Sequence, residues 1–121
     1  MVKLSAIINP IYREYTPLLR RIGLILDLDL KNPTTPVNDP DALQFELKKY
    51  LDLALTPDKD LAGALRSTPG RIVISDQPAH CLSVKDTSLV ISPTQRQALT
   101  SKSTSVKSRL GFGTTFTISI S

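Results

Sequence analysis

The residues best suited to covalent chemistry are His80 and Cys81, the only histidine and the only cysteine of the chain, and they are adjacent. An imidazole beside a thiol can generate a nucleophile. Neighbours in a strand, however, point to opposite faces and cannot easily meet. His80 follows Pro78 in an expected turn, which suits an exposed, idle side chain. A lone cysteine excludes an internal disulfide and any multi-cysteine zinc site, and it fits a reducing, cytoplasmic setting. A second candidate is Gly111-Phe112-Gly113-Thr114, a pattern that a tight turn between strands explains equally well. The third is charge. Residues 1–60 hold eight Lys/Arg and nine Asp/Glu (8 − 9 = −1), whereas residues 61–121 hold seven and two (7 − 2 = +5). The basic half could attract an acidic protein face, a nucleotide or a nucleic acid, or simply be a solvated surface.

Helices and strands must position these groups. Ile7, Ile8, Ile11, Tyr15, Leu18, Leu19 and Ile22 form one apolar stripe, which predicts a helix over 6–22 with Pro10 near its start and Gly23 at its end. Leu24–Leu30, ending in alternating Leu and Asp, predicts a strand, and 32–36 a loop. Asp39-Pro40-Asp41 opens a second helix by capping and by favourable charge. Its stripe is Leu43, Leu47, Tyr50, Leu51 and Ala54, and Thr56-Pro57 stops it. Residues 57–70 predict a loop with a short helical turn at Leu61–Leu65. Residues 71–75 and 81–85 alternate and predict a hairpin. A short helix is expected over 93–99 and a polar loop over 100–105. Val106–Arg109, a glycine turn and Thr114–Ser119 complete a strand pair. The whole chain, 1–121, reads as a single α+β domain: a two-layer sandwich with helices on one face of a mixed, mostly antiparallel sheet.

Three stretches, in this order, resemble the Bergerat-fold ATPase domain of sensor histidine kinases, within the GHKL superfamily. Val37-Asn38-Asp39-Pro40-Asp41-Ala42-Leu43-Gln44 resembles the start of the family's nucleotide-site helix. Leu82-Ser83-Val84-Lys85-Asp86-Thr87 resembles the strand ending in its adenine-reading aspartate. Val106 to Ile118, with Gly111, Gly113 and Thr114-Thr115-Phe116, closely resembles its final hairpin. The likeness covers residues 7–120 with one large gap.

The resemblance implies where ATP would be handled and which parts are missing. The family's magnesium-binding asparagine falls at Leu53, which offers no oxygen ligand, and its water-activating polar residue falls at Lys49. The family's Asp-x-Gly-x-Gly turn reads Asp86-Thr87-Ser88-Leu89-Val90, with Ser88 and Val90 in the glycine positions. A β-branched residue such as Val90 resists positive φ. Between Ile91 and Val106 lie fourteen residues, 92–105, without a glycine, too few for a lid, a phosphate turn and a full helix. The adenine end is formally kept: Asp86 to accept from an exocyclic amine, Thr114 to support it, Gly111 and Gly113 to shape the turn, and Phe116 as a floor.

The expectation is therefore a degenerate, lid-deleted, non-catalytic domain serving as a protein-interaction or regulatory module in two-component-type signalling. It would have no metal and no resident cofactor, and would engage a protein partner or a second copy. An adenine-nucleotide sensor using Asp86 and Thr114 without magnesium is the first alternative. Nucleic-acid binding through Arg66, Arg71, Lys85, Arg96, Lys102, Lys107 and Arg109 is the second, weakened by an aromatic content of 5% and the lack of a recognised motif. No apolar run approaches a membrane span, and no secretory leader pattern is present.

Overall fold

The computed structural model describes residues 2–55, 65–66, 70–77, 80–87, 89–91, 97, 100, 104–109 and 113–120. The chain opens with a two-residue strand, β1 (Val2–Lys3), followed by helix α1 (Leu4–Arg20). Helix α1 buries Leu4, Ile7, Ile8, Ile11, Tyr15 and Leu19. That stripe corrects the expected one, because Leu18 and Ile22 are exposed: Leu18 lies to one side of Leu19, and Ile22 falls in the turn beyond the helix. The start is also earlier than expected, which moves Pro10 further into α1, where Pro17 is interior as well. The chain supplies no side-chain cap there. Instead Leu4 N–H donates to Thr35 O (2.8 Å) and Ser5 N–H to Pro33 O (2.9 Å), so a distant loop satisfies the first orphan donors. Each interior proline removes a helical hydrogen bond, and burial of the stripe offsets that loss. At the other end Gly23 takes φ +83, the left-handed exit that glycine permits.

Strand β2 (Leu24–Asp29) leads to the short β3 (Pro36–Val37), which pairs antiparallel with β1. Helix α2 (Pro40–Leu55) starts as its sequence predicts: Asp39 Oδ1 accepts from Ala42 N–H at 3.1 Å. Thr56-Pro57, the expected stop, lies outside the described residues. The two helices are tied by Tyr15 OH donating to Asp52 Oδ1 at 2.6 Å.

The remaining strands are β4 (Leu65–Arg66), β5 (Gly70–Ser75), β6 (Cys81–Asp86), β7 (Leu89–Val90), β8 (Thr104–Arg109) and β9 (Gly113–Ser119). The main sheet runs β2-β5-β6-β9-β8, with β2 parallel to β5 and the other pairs antiparallel. Two helices cover one face of this mixed sheet, so the expected α+β sandwich and the β5–β6 and β8–β9 hairpins are present. Leu24, Leu26, Ile72, Ile74, Leu82, Val84, Val106, Phe116 and Ile118 alternate toward the helices and are buried. The Phe116 ring stacks on Tyr50 of α2, with centroids 4.1 Å apart.

Three expectations fail at the edges. Leu65 belongs to β4, paired with Val90 of β7, not to a helical turn. Pro36 belongs to β3 rather than a loop. Strand β8 begins at Thr104, opposite Ile118, where a polar loop was expected to run to 105. In each case backbone pairing imposes extended structure on residues with no alternating pattern of their own. The helix expected over 93–99 lies outside the described residues apart from Gln97, whose carbonyl accepts from Thr100 N–H at 3.2 Å. No helix among the described residues is long and apolar enough to cross a membrane.

Asp76 closes the end of the sheet near β2. It is buried, and its two carboxylate oxygens accept from the main-chain N–H groups of Lys31 (2.9 Å) and Asn32 (2.6 Å). Burial acts to raise its pKa, but these main-chain donors and the Gln77 amide outweigh that and hold the carboxyl below its ordinary value of 3.8.

Candidate functional site

Strand parity decides where Asp86 goes. Leu82, Val84 and Asp86 share the helix-facing side of β6, so the carboxylate is carried inward and is 1% exposed. In the β6–β9 register Asp86 lies opposite Thr114, and in the β8–β9 register Thr114 lies opposite Ser108. Three polar side chains from three adjacent strands thus converge at one end of the sheet.

Their hydrogen bonds turn inward onto the chain itself. Leu89 N–H donates to Asp86 Oδ1 at 3.2 Å, and Thr114 Oγ1 donates to Leu89 O at 2.6 Å. Because the single Thr114 proton is given to Leu89, the 2.8 Å contact between Thr114 Oγ1 and Ser108 Oγ must have Ser108 as donor. Ser108 Oγ in turn accepts from Ile91 N–H at 2.9 Å. The segment 89–91 is therefore strapped down by side chains at both polar groups of Leu89, and Leu89 is completely buried. Leu89 and Ser108 were not singled out from sequence. Ser108 was readable in principle, because a hairpin that pairs Arg109 with Gly113 sets it against Thr114.

Gly113 has a packing role that the sequence hid. Its φ is +85, and a Cβ there would lie 2.1 Å from Asp86 O and 2.8 Å from the Thr87 backbone. Only glycine lets the start of β9 cross the end of β6 so closely. Thr87 fixes that end from the other side: its N–H donates to Arg71 O (3.0 Å), and its hydroxyl oxygen accepts from Arg71 N–H (3.0 Å). Gly111 and Ser88 lie outside the described residues, and Val90 is a strand residue in β7.

On α2, Leu53 is buried within the hydrophobic core. Lys49 Nζ stands 3.9 Å from Glu46 Oε2 and 5.9 Å from the centre of the Tyr50 ring. Phe45, Lys48, Lys49, Asp52 and Leu53 line a hollow of about 500 Å³. A second hollow of about 260 Å³ lies between the start of α2 and the end of β9, beside Asp39, Glu46 and Ile120. Neither counts Asp86 or Thr114 among its described lining residues. Among the described residues no His, Cys, Asp and Glu side chains group in threes at metal-binding range. His80 is exposed at φ 65 in the turn before β6, and Cys81 is half-buried.

The basic residues are dispersed. Arg71 pairs with Asp27 at 2.8 Å. Lys85 and Lys107 flank Thr115 across the open sheet face. Arg66 and Arg109 lie in β4 and β8, and Arg96 and Lys102 are outside the described residues.

The histidine kinase AdeS of Acinetobacter baumannii superposes with a TM-score of 0.66 over 98% of this chain, at 18% identity. The fold is that of a histidine-kinase ATPase domain. The catalytic domain of histidine kinase ThkA gives a TM-score of 0.60, also over 98% of the chain and at 13% identity, and 94% of that domain is covered. Of the AdeS chain, 65% is covered. No protein-family model and no curated protein sequence matches the chain.

Proposed function

We propose that this histidine-kinase-like domain is a pseudo-ATPase: a non-catalytic module that engages a protein partner in two-component-type signalling. The observation supporting this most directly is the occupation of Asp86 Oδ1 and Thr114 Oγ1 by Leu89 N–H and Leu89 O. The resemblance assigns these two side chains to adenine, and the chain's own backbone already makes one hydrogen bond with each. The α2 positions agree. Leu53 packs in the core where the resemblance calls for a magnesium ligand, and Lys49 supplies a cation where a polar or basic group is needed. A hydrocarbon cannot coordinate magnesium, and an ammonium cannot accept the proton of an attacking water.

Calorimetric titration with ATP, ADP and adenosine, each with and without magnesium, tests the reading. The expected result is no magnesium-dependent heat and no phosphate release. Magnesium-dependent binding or turnover overturns it. Equal, magnesium-independent binding of adenosine and ADP replaces it with a nucleotide sensor at Asp86 and Thr114.

A further inference from the structure

Five large apolar side chains are exposed among the described residues: Val2, Leu18, Ile22, Ile25 and Phe45. Three of them, Leu18, Ile22 and Ile25, fall within eight consecutive residues at the junction of α1 and β2. Strand β2 is also the end strand of the main sheet, and among the described residues it pairs only with β5. Leu18 belongs to the helix layer. Ile25, which is 53% exposed between buried Leu24 and Leu26, belongs to the open sheet face. Exposed apolar side chains thus occur in the helix layer and on the open sheet face beside an edge that no other described strand pairs with, an arrangement that favours strand addition.

The charge order along this segment selects the occupant. It reads Arg20-Arg21, then apolar residues 22–26 around Gly23, then Asp27-Leu28-Asp29. Such a segment is basic at one end and acidic at the other, so it complements itself when turned antiparallel. We propose that the chain forms a twofold dimer by antiparallel pairing of β2 with β2 of a second copy, centred on Ile25. This register places Leu24 against Leu26 of the second copy and carries Arg20 and Arg21 toward its Asp29. Arg20, Arg21 and Asp29 are all exposed. Among the described residues the Asp29 carboxylate pairs with exposed Lys31 at 3.6 Å, a contact that exchanges readily. The neighbouring registers are penalised. Centring on Asp27 opposes two like carboxylates, and centring on Leu26 sets Ile25 against Asp27. The product is a continuous ten-stranded sheet, a closed isologous assembly. The inference goes beyond the pseudo-ATPase reading and does not need it, because the β2 edge is the opposite side of the sheet order from β8 and β9.

Sedimentation velocity over a concentration series, up to millimolar, tests it on the full chain. Ile25→Lys, Arg21→Asp and Asp29→Arg all alter exposed side chains, and circular dichroism checks that each variant folds. The expected result is a monomer–dimer equilibrium. Each single variant should weaken it roughly tenfold or more, because each charge contact occurs twice across the axis and the Ile25 pair on the axis carries both substituted side chains. An equimolar mixture of Arg21→Asp and Asp29→Arg should restore association, because each chain then meets an opposite charge at both ends. A protein that stays monomeric overturns the proposal. So does a dimer indifferent to Ile25→Lys, a dimer indifferent to both charge reversals, or mass growing beyond the dimer, which reports head-to-tail edge pairing.

Discussion

Replacing Gly113 by alanine separates two reasons for a glycine. If it serves only to give backbone freedom, the cost is that of a left-handed L-residue, about 1–2 kcal/mol. At Gly113 there is a second term. The new methyl would lie 2.1 Å from Asp86 O and 2.8 Å from the Thr87 backbone, and neither is a flexible side-chain end that could swing away. Displacing packed backbone costs about 1–3 kcal/mol more, so Gly113→Ala should lose about 2–5 kcal/mol of the roughly 5–15 available to a domain of this kind. Gly23 is the internal control. It has nearly the same φ, +83, and nothing within 4 Å of a built Cβ, so Gly23→Ala should lose only the first term. Urea unfolding of the two variants beside the parent measures both. Equal losses would refute the close-approach argument and return the second glycine of Gly111-x-Gly113 to a simple turn.

Two further outcomes follow from the same network and from Asp76. Thr114→Val keeps the shape but strands the Leu89 carbonyl and the Ser108 hydroxyl, so it should cost about 1–3 kcal/mol in urea unfolding, while Thr114→Ser should recover most of that. Asp76 has a folded-state pKa below 3.8. Its contribution to stability is therefore present above that value and is lost as pH falls from it through the lower folded value. Asp76→Asn should lower stability at neutral pH and flatten the acid limb of a stability–pH curve, and an unchanged acid limb would count against the assignment.

The parts legible in the sequence are those whose pattern and burial coincide. Ile7, Ile8, Ile11, Tyr15 and Leu19 repeat at helical spacing and face the sheet, and Asp39 caps α2 in the way that Asp-Pro-Asp suggests. Asp86 and Thr114 were brought together in the sequence by the family resemblance, and the β6–β9 register sets them opposite each other. What escaped depends on partners far along the chain. The start of α1 is set by Thr35 and Pro33 carbonyls, so no local cap marks it and Pro10 looks like a first-turn residue. The β1–β3 and β4–β7 pairs are two residues long, too short to show alternation. Leu89 looked like an occupant of a degraded glycine turn. Its role emerges only when Asp86 and Thr114, from two separate strands, are seen to close on its backbone.

That closure has a thermodynamic corollary for ligands. A molecule that takes Leu89's place on Asp86 Oδ1 and Thr114 Oγ1 must bind a minor population in which Leu89 has let go of both. If releasing those two bonds costs about 2 kcal/mol, the competent state is roughly one molecule in thirty, and every intrinsic affinity is weakened by that factor before the ligand makes a contact. The same equilibrium can be run in the other direction. A substitution that loosens residues 89–91 without touching Asp86 or Thr114 would raise adenosine affinity while lowering the melting temperature, an inverse relation between tightness of fold and tightness of binding.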